Sequence, residues 1–327
     1  MAKVRWGVMS TAKIGVTKVI PAMQEAKHIE VAAIASRNRE RAQEAAKQLG
    51  IASAYGSYEE LLEDPEIDAV YIPLPNHLHV PWAIRALEAG KHVLCEKPVA
   101  MNVQEAEELA RVGEQHPELK LMEGFMYRHH PQWVKAKDLV DSGAIGEVKK
   151  IQAFFSYNNR DPNDVRNQAE IGGGGLMDIG CYPISVARFI LEDEPTRVAA
   201  IIEFDEEWGI DSFGNVLMEF GGRTAGFAYG TQLEPHQRVN IVGTAGRIEV
   251  MIPFNAPPDR PCVVNLYQDG EITEIELPVA NQYTIQGEAM SLAILDDTPV
   301  PTPISDAVAN MKVIERCFAS AREGRWL

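Results

Sequence analysis

Cysteine is scarce in this sequence of 327 residues. The four cysteines are scattered and form no C-x-x-C pair: Cys95, Cys181, Cys262 and Cys317. Their spacing therefore disfavours both a structural zinc site and a disulfide scaffold. Isolated thiols of this kind are typical of a reducing compartment, so we expect a cytoplasmic protein.

Basic residues are also few relative to acidic ones. Lys and Arg number 31 against 47 Asp and Glu, which gives a formal net charge of −16. Such a charge disfavours nucleic acid or an anionic membrane as the main partner. No apolar run reaches the length needed to span a bilayer, and the residues after Met1 show no export segment. We therefore expect neither a nucleic-acid nor a membrane partner.

What the first part of the chain does contain is an alternation of apolar β-type runs with helical stretches. Unbroken apolar runs suit central parallel strands that are covered on both faces. Capping-box patterns, Ser57 with Glu60 and Asn102 with Glu105, predict helix starts between the runs. The predicted strands lie at 4–9, 31–35, 69–74, 92–95 and 119–122. Residues 1–126 therefore predict a doubly wound parallel sheet of the Rossmann type, an α/β fold.

After residue 126 the pattern changes. Short β-like segments with Gly-containing turns between them indicate a mainly antiparallel sheet. We predict strands near 148–157, 197–205, 212–220, 224–232, 237–243, 246–252, 262–268 and 271–277. Helices are predicted at about 131–142, 175–192, 285–296 and 305–323. Residues 127–327 are thus expected to form a C-terminal α+β domain with an open sheet.

The turn after the first strand has the position of a dinucleotide fingerprint. Ser10, Ala12 and Gly15 stand where G-x-G-x-x-G is expected, before a helix. Glycines there allow the backbone to approach a pyrophosphate at the helix N-terminus, and Ser and Ala are the smallest replacements. An ordinary β–α turn is the alternative interpretation. The predicted cofactor contacts of this turn are Ser10, Thr11, Ala12, Lys13 and Ile14.

The end of the second strand indicates which dinucleotide is bound. NAD-selective folds place an acidic residue there, whereas this chain has Ser36 and Arg37, with Arg41 one helical turn on. A guanidinium can make a charge-assisted contact with a 2′-phosphate, and the Ser36 hydroxyl can add a hydrogen bond. We therefore expect NADP(H) in preference to NAD(H). The alternative for either arginine is a solvated cation at a helix start.

The segment after the next strand can form a rigid wall beside the cofactor. It supplies the predicted contacts Pro73, Leu74, Pro75, Asn76 and His79. His77 and His79 alone are too few for a metal, and we predict no metal site.

Three further residues suggest acid–base chemistry at a carbinol. Lys97 follows an apolar strand at the edge where α/β sheets bind ligands. Tyr182 lies four residues after Asp178, behind a run of four glycines at 172–175, and a neighbouring ammonium such as Lys97 would stabilise its phenolate. Asp178 could fix a substrate hydroxyl or orient the lysine. Each residue also has a purely structural interpretation. Lys97 could be a cation in a loop, Tyr182 a tyrosine of the core, and Asp178 a carboxylate that interacts with the helix dipole at a helix start.

Several motifs together resemble one known family. Glu96-Lys97-Pro98, the stretch Leu-Met-Asp-Ile-Gly-Cys-Tyr at 176–182, Glu123-Gly-Phe-Met-Tyr-Arg128 and the closing Ser-Ala-Arg-Glu-Gly at 320–324 resemble the glucose–fructose oxidoreductase/inositol dehydrogenase/rhizopine catabolism (Gfo/Idh/MocA) family. The resemblance covers essentially the whole chain. It is closest to the dihydrodiol dehydrogenase and NADP-dependent D-xylose dehydrogenase branch, where Ser-Thr-Ala in the first turn is usual.

The resemblance implies a Rossmann domain and a substrate-binding domain whose open sheet often makes dimer contacts, hence a homo-oligomer, dimer or tetramer. It implies that Lys97 and Tyr182 are catalytic and that Asp178 is a substrate-side carboxylate. We also expect Glu96, Lys97 and Arg128 at the cofactor. The substrate is expected to contact Lys97, Arg128, Asp178 and Tyr182. Candidate pocket residues from placement alone are Phe154, Tyr157, Arg160, Asp161, Trp208, Tyr229 and Tyr283.

The predicted function is hydride transfer between NADP(H) and a carbinol or carbonyl carbon of a sugar, polyol or cyclic diol, as in D-xylose or dihydrodiol dehydrogenases. One alternative is NADPH-dependent reduction of a keto-sugar, such as anhydrofructose or a nucleotide-linked 3-keto sugar. A second alternative, from a different class, is a regulatory protein that senses NADP without turnover. The sequence identifies neither the sugar nor the physiological direction.

Overall fold

A computed structural model describes residues 2–327. Met1, the first residue of the predicted N-terminal domain, lies outside the described residues. The chain divides into two compact units. The first comprises the described residues through Met126 together with Gln282–Val308, and the second comprises Tyr127–Asn281 with Ala309–Leu327.

The first unit contains a six-stranded parallel sheet in the order β3-β2-β1-β4-β5-β6. Its strands are β1 Val4–Met9, β2 Ile29–Ala35, β3 Ser53–Tyr55, β4 Ala69–Ile72, β5 His92–Cys95 and β6 Leu121–Glu123. This order is that of a doubly wound dinucleotide-binding sheet, and the predicted Rossmann fold is confirmed. All of β4 and most of β1, β2 and β5 are buried, as their unbroken apolar sequences require. The sequence prediction missed β3, whose three residues are only half-buried.

Helices connect these strands. They are α1 Ile20–Gln24, α2 Arg39–Leu49, α3 Tyr58–Leu62, α4 His79–Glu88 and α5 Val103–Gln115, with a π-helical turn at Gly15–Val19 and a 3₁₀ turn at Asn76–Leu78. Three of the helices, α2, α3 and α5, begin at a side-chain cap. The Ser57 hydroxyl accepts from the Glu60 amide at 3.1 Å, and the Asn102 side chain accepts from the Glu105 amide at 2.9 Å. Both predicted caps therefore satisfy amides that the helix itself leaves without partners.

The second unit is built on an eight-stranded sheet in the order β14-β13-β12-β11-β7-β10-β9-β8. Its strands are β7 Val148–Asn158, β8 Arg197–Phe204, β9 Asp211–Phe220, β10 Arg223–Gly230, β11 Gln232–Gly243, β12 Arg247–Val250, β13 Cys262–Gln268 and β14 Glu271–Leu277. Strands β7 and β10 pair in parallel and every other pair is antiparallel, which confirms the predicted mainly antiparallel sheet.

The helical segments between the start of this unit and β8 vary in length from three to eleven residues. They are 3₁₀ turns at Met126–His129, Val165–Asn167 and Ala169–Ile171, α6 Pro131–Asp141, a π-helical turn at Leu176–Gly180 and α7 Cys181–Leu191. The single helix predicted over 175–192 is thus a π-helical turn that continues into α7. Two more helices follow the sheet, α8 Gln282–Leu295 and α9 Ile304–Glu323.

Helix α8 belongs to the first unit, although the predicted boundary at residue 126 assigned it to the second domain. Two hydrogen bonds, the first of them buried, join α8 to the rest of the first unit. The Trp6 indole donates to the Ser291 hydroxyl at 3.1 Å, and the Thr284 hydroxyl donates to the Ala22 carbonyl at 2.8 Å. Trp6 is fully buried, so its N–H needs a partner within the protein.

Within residues 2–327, no helix combines the length and the apolar composition that crossing a bilayer requires. All four cysteines lie in the described part of the chain, are buried and form no disulfide bond.

Candidate functional site

The turn after β1 has a backbone that side chains rarely adopt. Ser10 has φ of +135°, in the region that favours glycine. Its hydroxyl accepts a hydrogen bond from the Ala12 amide at 2.9 Å, and the chain is helical from Lys13 onward. The turn therefore keeps the conformation of a glycine-rich fingerprint with a serine in the first glycine position. Its small residues precede a helix N-terminus at the edge of the sheet where such folds bind ligands.

The residues after β2 present one exposed guanidinium beside a buried hydroxyl. Arg37 is exposed, whereas Ser36 is 8% exposed and accepts from the Asn38 amide at 3.3 Å, which leaves its O–H free to donate. The Asn38 side chain accepts from the Arg41 amide at 2.8 Å and so caps α2. Burial raises the pKa of Tyr58, while the Arg37 charge and hydrogen bonds with Ser10 and Arg37 lower it. The phenol thus joins the end of β2 to the turn after β1.

The segment after β4, from Pro73 to Asn76, is fixed in place by the side chain of His79. This side chain is 1% exposed, and its two ring nitrogens lie 2.7 Å from the Leu74 carbonyl and 2.8 Å from the Pro98 carbonyl. Burial lowers the pKa of His79 to about 4, against the two carbonyl contacts that raise it. The cofactor contact predicted for His79 stays a prediction, and it would have to be made without the ring nitrogens. Pro73, Pro75 and Asn76 follow β4 directly, at the same edge.

The segment that carries Lys97 is fixed on both sides. The Tyr71 hydroxyl donates to Glu96 Oε1 at 2.7 Å, and the Val99 amide donates to Glu123 Oε1 at 2.8 Å. Burial and the Glu96 charge raise the pKa of Tyr71 well above its ordinary value, so this phenol stays a donor. Lys97 itself is partly buried and follows β5. Glu123 was noted only as part of a family motif, and its role as a buried anchor of this segment was not predicted.

Asp178 lies in the π-helical turn at the centre of a polar cluster in the second unit. Its Oδ2 accepts from the Tyr157 hydroxyl at 2.7 Å and from Arg166 Nε at 3.1 Å. Arg166 also pairs with Asp164 through Nη1 at 3.3 Å. Burial and the Asp178 charge raise the pKa of Tyr157, and the Asp178 charge raises that of Arg166. Tyr157 was a candidate from placement, whereas Arg166, which carries no recognisable motif, was missed.

Tyr182 stands in the first turn of α7 and is 5% exposed. Its ring lies in an aromatic cluster, with centroid distances of 5.2 Å to Phe254 and 5.8 Å to both Phe155 and Tyr127. Such a cluster holds the ring in one orientation, which is what a side chain with one oriented hydroxyl requires.

Arg128 binds to the next part of α7. Its Nη2 donates to the Ser185 hydroxyl at 2.7 Å, and its guanidinium lies 5.4 Å from the Phe189 ring centroid. The cofactor and substrate contacts predicted for Arg128 stay predictions.

Each unit therefore brings together part of the predicted site. The first unit collects the residues of the β1 turn, the β2 end, the β4 wall and Lys97 at the carboxyl edge of one sheet. The second unit collects Arg128, Asp178 and Tyr182 around the start of α7. Two candidates from placement lie elsewhere: Tyr229 is fully buried beneath the sheet's helices, and Phe154 lines a cavity on the sheet's open face. Among the described residues, no three His, Cys, Asp or Glu side chains are arranged to hold a metal ion.

Comparison with known proteins gives the family. Residues 4–125 match the GFO/IDH/MocA "oxidoreductase family, NAD-binding Rossmann fold", and residues 133–249 match the "GFO/IDH/MocA C-terminal domain". The chain belongs to the Gfo/Idh/MocA family of oxidoreductases, as the resemblance of its motifs indicated.

Three relatives illustrate the range of this similarity. The chain is 37% identical to a D-xylose 1-dehydrogenase (NADP(+)) of Haloferax volcanii, over 98% of each chain. It is 31% identical to a trans-1,2-dihydrobenzene-1,2-diol dehydrogenase of Xenopus tropicalis, over 84% of this chain and 81% of that one. The crystal structure of a 3-ketoreductase from Actinomadura kijaniata in complex with NADP and TDP-benzene is 33% identical, with a TM-score of 0.91 over 97% of this chain and 98% of that one. The predicted branch of the family is thereby confirmed.

The positive φ of Ser10 can be tested for its cost in stability. Ser10→Ala and Ser10→Gly both lose the hydroxyl, but only alanine keeps a side chain at φ of +135°. We expect Ser10→Gly to be more stable than Ser10→Ala by about 1–3 kcal/mol in urea unfolding, because glycine relieves the backbone strain. Equal stability of the two variants would show that Ser10 is not strained.

Proposed function

We propose that this protein is an NADP(H)-dependent oxidoreductase that transfers a hydride to or from a CH–OH carbon of a sugar, polyol or cyclic diol. The observation that carries the proposal is the carboxyl edge of the first sheet. Ser36 and Arg37 directly follow β2, and Lys97 lies two residues after β5, so an arginine placed to select the dinucleotide and an ammonium belong to one edge of the sheet. The NADP-dependent xylose dehydrogenase and the NADP-bound 3-ketoreductase support this assignment.

The residues present fit the cofactor. The small residues Ser10 and Ala12 leave room for a pyrophosphate before the helix that starts at Lys13. The Ser36 hydroxyl has a proton to donate, and Arg37 is exposed, so both can hold a 2′-phosphate. The segment from Pro73 to Asn76 would form the wall beside the dinucleotide, with Glu96 nearby. Arg41 and Arg128 are proposed to add contacts.

Three residues have roles in the reaction. The bound dinucleotide supplies or accepts the hydride. In oxidation, Tyr182 accepts the proton of the substrate hydroxyl, and in reduction it returns a proton to the carbonyl oxygen. Lys97 supplies a positive charge that binds the substrate oxygen. Asp178, oriented by Tyr157 and Arg166, accepts a hydrogen bond from a second substrate hydroxyl.

A second candidate is the reverse reaction on a keto-sugar. The 3-ketoreductase with a TM-score of 0.91 favours it, and the same three residues serve both directions. A panel separates the candidates: NADP⁺ reduction with xylose, glucose, inositol and dihydrodiols, then NADPH oxidation with keto-sugars, including nucleotide-linked ones. Tight NADPH binding without turnover in either panel would contradict the proposal that the protein is an enzyme. It would favour a regulatory protein that senses NADP(H).

Tyr182→Phe should lower kcat by roughly 10²–10⁴-fold while NADPH affinity changes little, because the variant removes the proton acceptor but keeps the ring. Steady-state kinetics and NADPH fluorescence titration measure the two quantities. Near-normal turnover at saturating substrate would refute the role of Tyr182.

Arg37→Ala should weaken NADPH binding by about ten- to a hundredfold and leave NADH binding nearly unchanged, since a hydrogen bond to a charged group contributes about 1.5–3 kcal/mol. The matched control is Arg39→Ala. Arg39 is another exposed arginine, but it pairs with Glu60 at 2.7 Å and should not affect either dinucleotide. Equal losses for NADPH and NADH in Arg37→Ala would remove the 2′-phosphate argument.

We also propose that the protein forms a homo-oligomer. We propose in addition that it resides in the cytoplasm, which is a reducing compartment. The four buried cysteines, none of which is in a disulfide bond, support the compartment. The open face of the second sheet supports the oligomer, because it carries a cavity of about 730 Å³ and exposed apolar side chains. Ile201 is 77% exposed, Leu217 41% and Trp326 38%, an apolar surface of the kind that marks an interface.

Ile201→Glu should shift the protein toward monomer in sedimentation velocity, because it places a charge among the exposed apolar side chains of this face. Val134→Glu is the control: Val134 is 49% exposed on α6 of the same unit. An unchanged oligomer in Ile201→Glu, or a monomeric parent protein, would contradict the proposed interface.

A further inference from the structure

A buried carboxylate and a buried phenol lie beneath the turn that carries Asp178. Asp211 is the first residue of β9 and is 2% exposed, and Tyr229 lies near the end of β10 and is fully buried. Neither side chain has a part in the reaction described above. A carboxylate is costly to bury, so its place in the core calls for an explanation.

Two hydrogen bonds to the carboxylate converge on one of its oxygens. The Tyr229 hydroxyl and the Leu176 amide each donate to Asp211 Oδ2, both at 2.6 Å. Leu176 is the first residue of the π-helical turn, so the amide is one that the turn itself cannot satisfy. The carboxylate therefore fixes the start of the turn.

Glycines let the Tyr229 ring approach both ends of the turn. A Cβ atom on Gly175 would lie 2.6 Å from Tyr229 Cε2, and one on Gly180 would lie 3.3 Å from Cδ1. On the opposite side, a Cβ atom on Gly214 would lie 2.5 Å from Cε1. Part of the glycine-rich sequence before Asp178 is thus explained by close packing against one aromatic ring.

On the basis of the proposed function, we propose that Asp211 and Tyr229 are positioning residues, which fix the π-helical turn of Asp178 and the adjoining Tyr182 and act on turnover through them. Asp178 stands at the middle of the turn that Asp211 and Tyr229 hold, and Tyr182 is two residues beyond Gly180. A shift at Leu176 or Gly180 would therefore displace both groups.

The charge of Asp211 gives this arrangement a pH dependence. Burial raises the pKa of Asp211 to about 6, whereas the hydrogen bonds from Tyr229 and Leu176 lower it and the Asp178 charge raises it. Cys317 also faces Tyr229, and Tyr157 and Arg166 face Asp178. Above pH 6 the ionised carboxylate accepts charge-assisted bonds, which are the stronger kind. As the pH falls through 6, protonation weakens the anchor.

The contribution of Asp211 to the free energy of unfolding changes with pH in the opposite direction to the strength of its hydrogen bonds. The pKa of Asp211 in the folded protein lies above the value of about 3.9 of an unfolded chain. Its stabilising contribution is therefore complete below about pH 4 and is lost as the pH rises through about 6. Ionised Asp211 thus holds the turn more firmly but makes the folded protein less stable. A residue that served only core packing would not show these opposite effects, so they distinguish a positioning role.

The test compares Asp211→Asn and Tyr229→Phe with the control Tyr267→Phe, which removes a similar bond, from a phenol to Glu249 at 2.8 Å, elsewhere in the unit. We expect Asp211→Asn to lower kcat about fivefold, the equivalent of one hydrogen bond of about 1 kcal/mol, and to be no less stable than the parent at pH 8. Tyr229→Phe should move the acid limb of the kcat profile to higher pH, and Asp211→Asn should abolish that limb. The control should do neither, and an acid limb unmoved in both variants would overturn the proposal.

A second readout needs no turnover. In protein labelled with ¹³C at tyrosine Cζ, the Tyr182 resonance is identified by its loss in Tyr182→Phe. We expect this resonance to titrate near pH 6 in the parent and to stop doing so in Asp211→Asn. A resonance that does not titrate, or that titrates equally in Asp211→Asn, would refute the inference even in an active enzyme. A titrating resonance without turnover on any substrate would instead refute the proposed function alone.

Discussion

The carboxyl edge of the six-stranded parallel sheet is the constraint on which the rest of the structure depends. Parallel strands end at one edge, so residues distant in sequence become neighbours without any direct bond between them. The turn with Ser10, the pair Ser36-Arg37, the wall from Pro73 and the segment of Lys97 all occupy strand ends of β1, β2, β4 and β5. Buried side chains behind this edge, such as Tyr71, His79 and Glu123, hold the backbone that presents them.

Periodicity and capping were sufficient to predict most of the fold. The run at His92–Cys95 and the strands Cys262–Gln268 and Glu271–Leu277 have the predicted bounds, because apolar runs and Gly turns mark their ends. Two features of the fold were not predicted, and each has a physical reason. Ser53–Tyr55 is too short and too exposed for a periodic signal, and the return of α8 to the first unit depends on contacts between residues nearly 300 positions apart, which local patterns do not encode.

The candidate site was predictable where a position in the fold fixes the chemistry. Strand ends indicated Arg37 and Lys97, and motifs indicated Asp178 and Tyr182. The residues that hold them were not predicted in that role, although Tyr157 and Tyr229 were pocket candidates from placement. Arg166 belongs to an irregular loop, and Asp211 and Tyr229 lie on strands whose alternation says only that they are buried. Such supporting contacts are set by tertiary packing, so one sequence contains no signal for them.

The hydrogen bond from Trp6 to Ser291 has a consequence for the life of the chain before it is complete. Synthesis proceeds from the amino terminus, and the ribosome releases the first 126 residues long before α8 emerges. Until then the nucleotide-binding half lacks the helix that covers its fully buried indole, and its core stays open to solvent. Maturation of this half therefore waits for almost the entire polypeptide, and a nascent chain stalled before residue 282 exposes an apolar surface of the kind that chaperones bind.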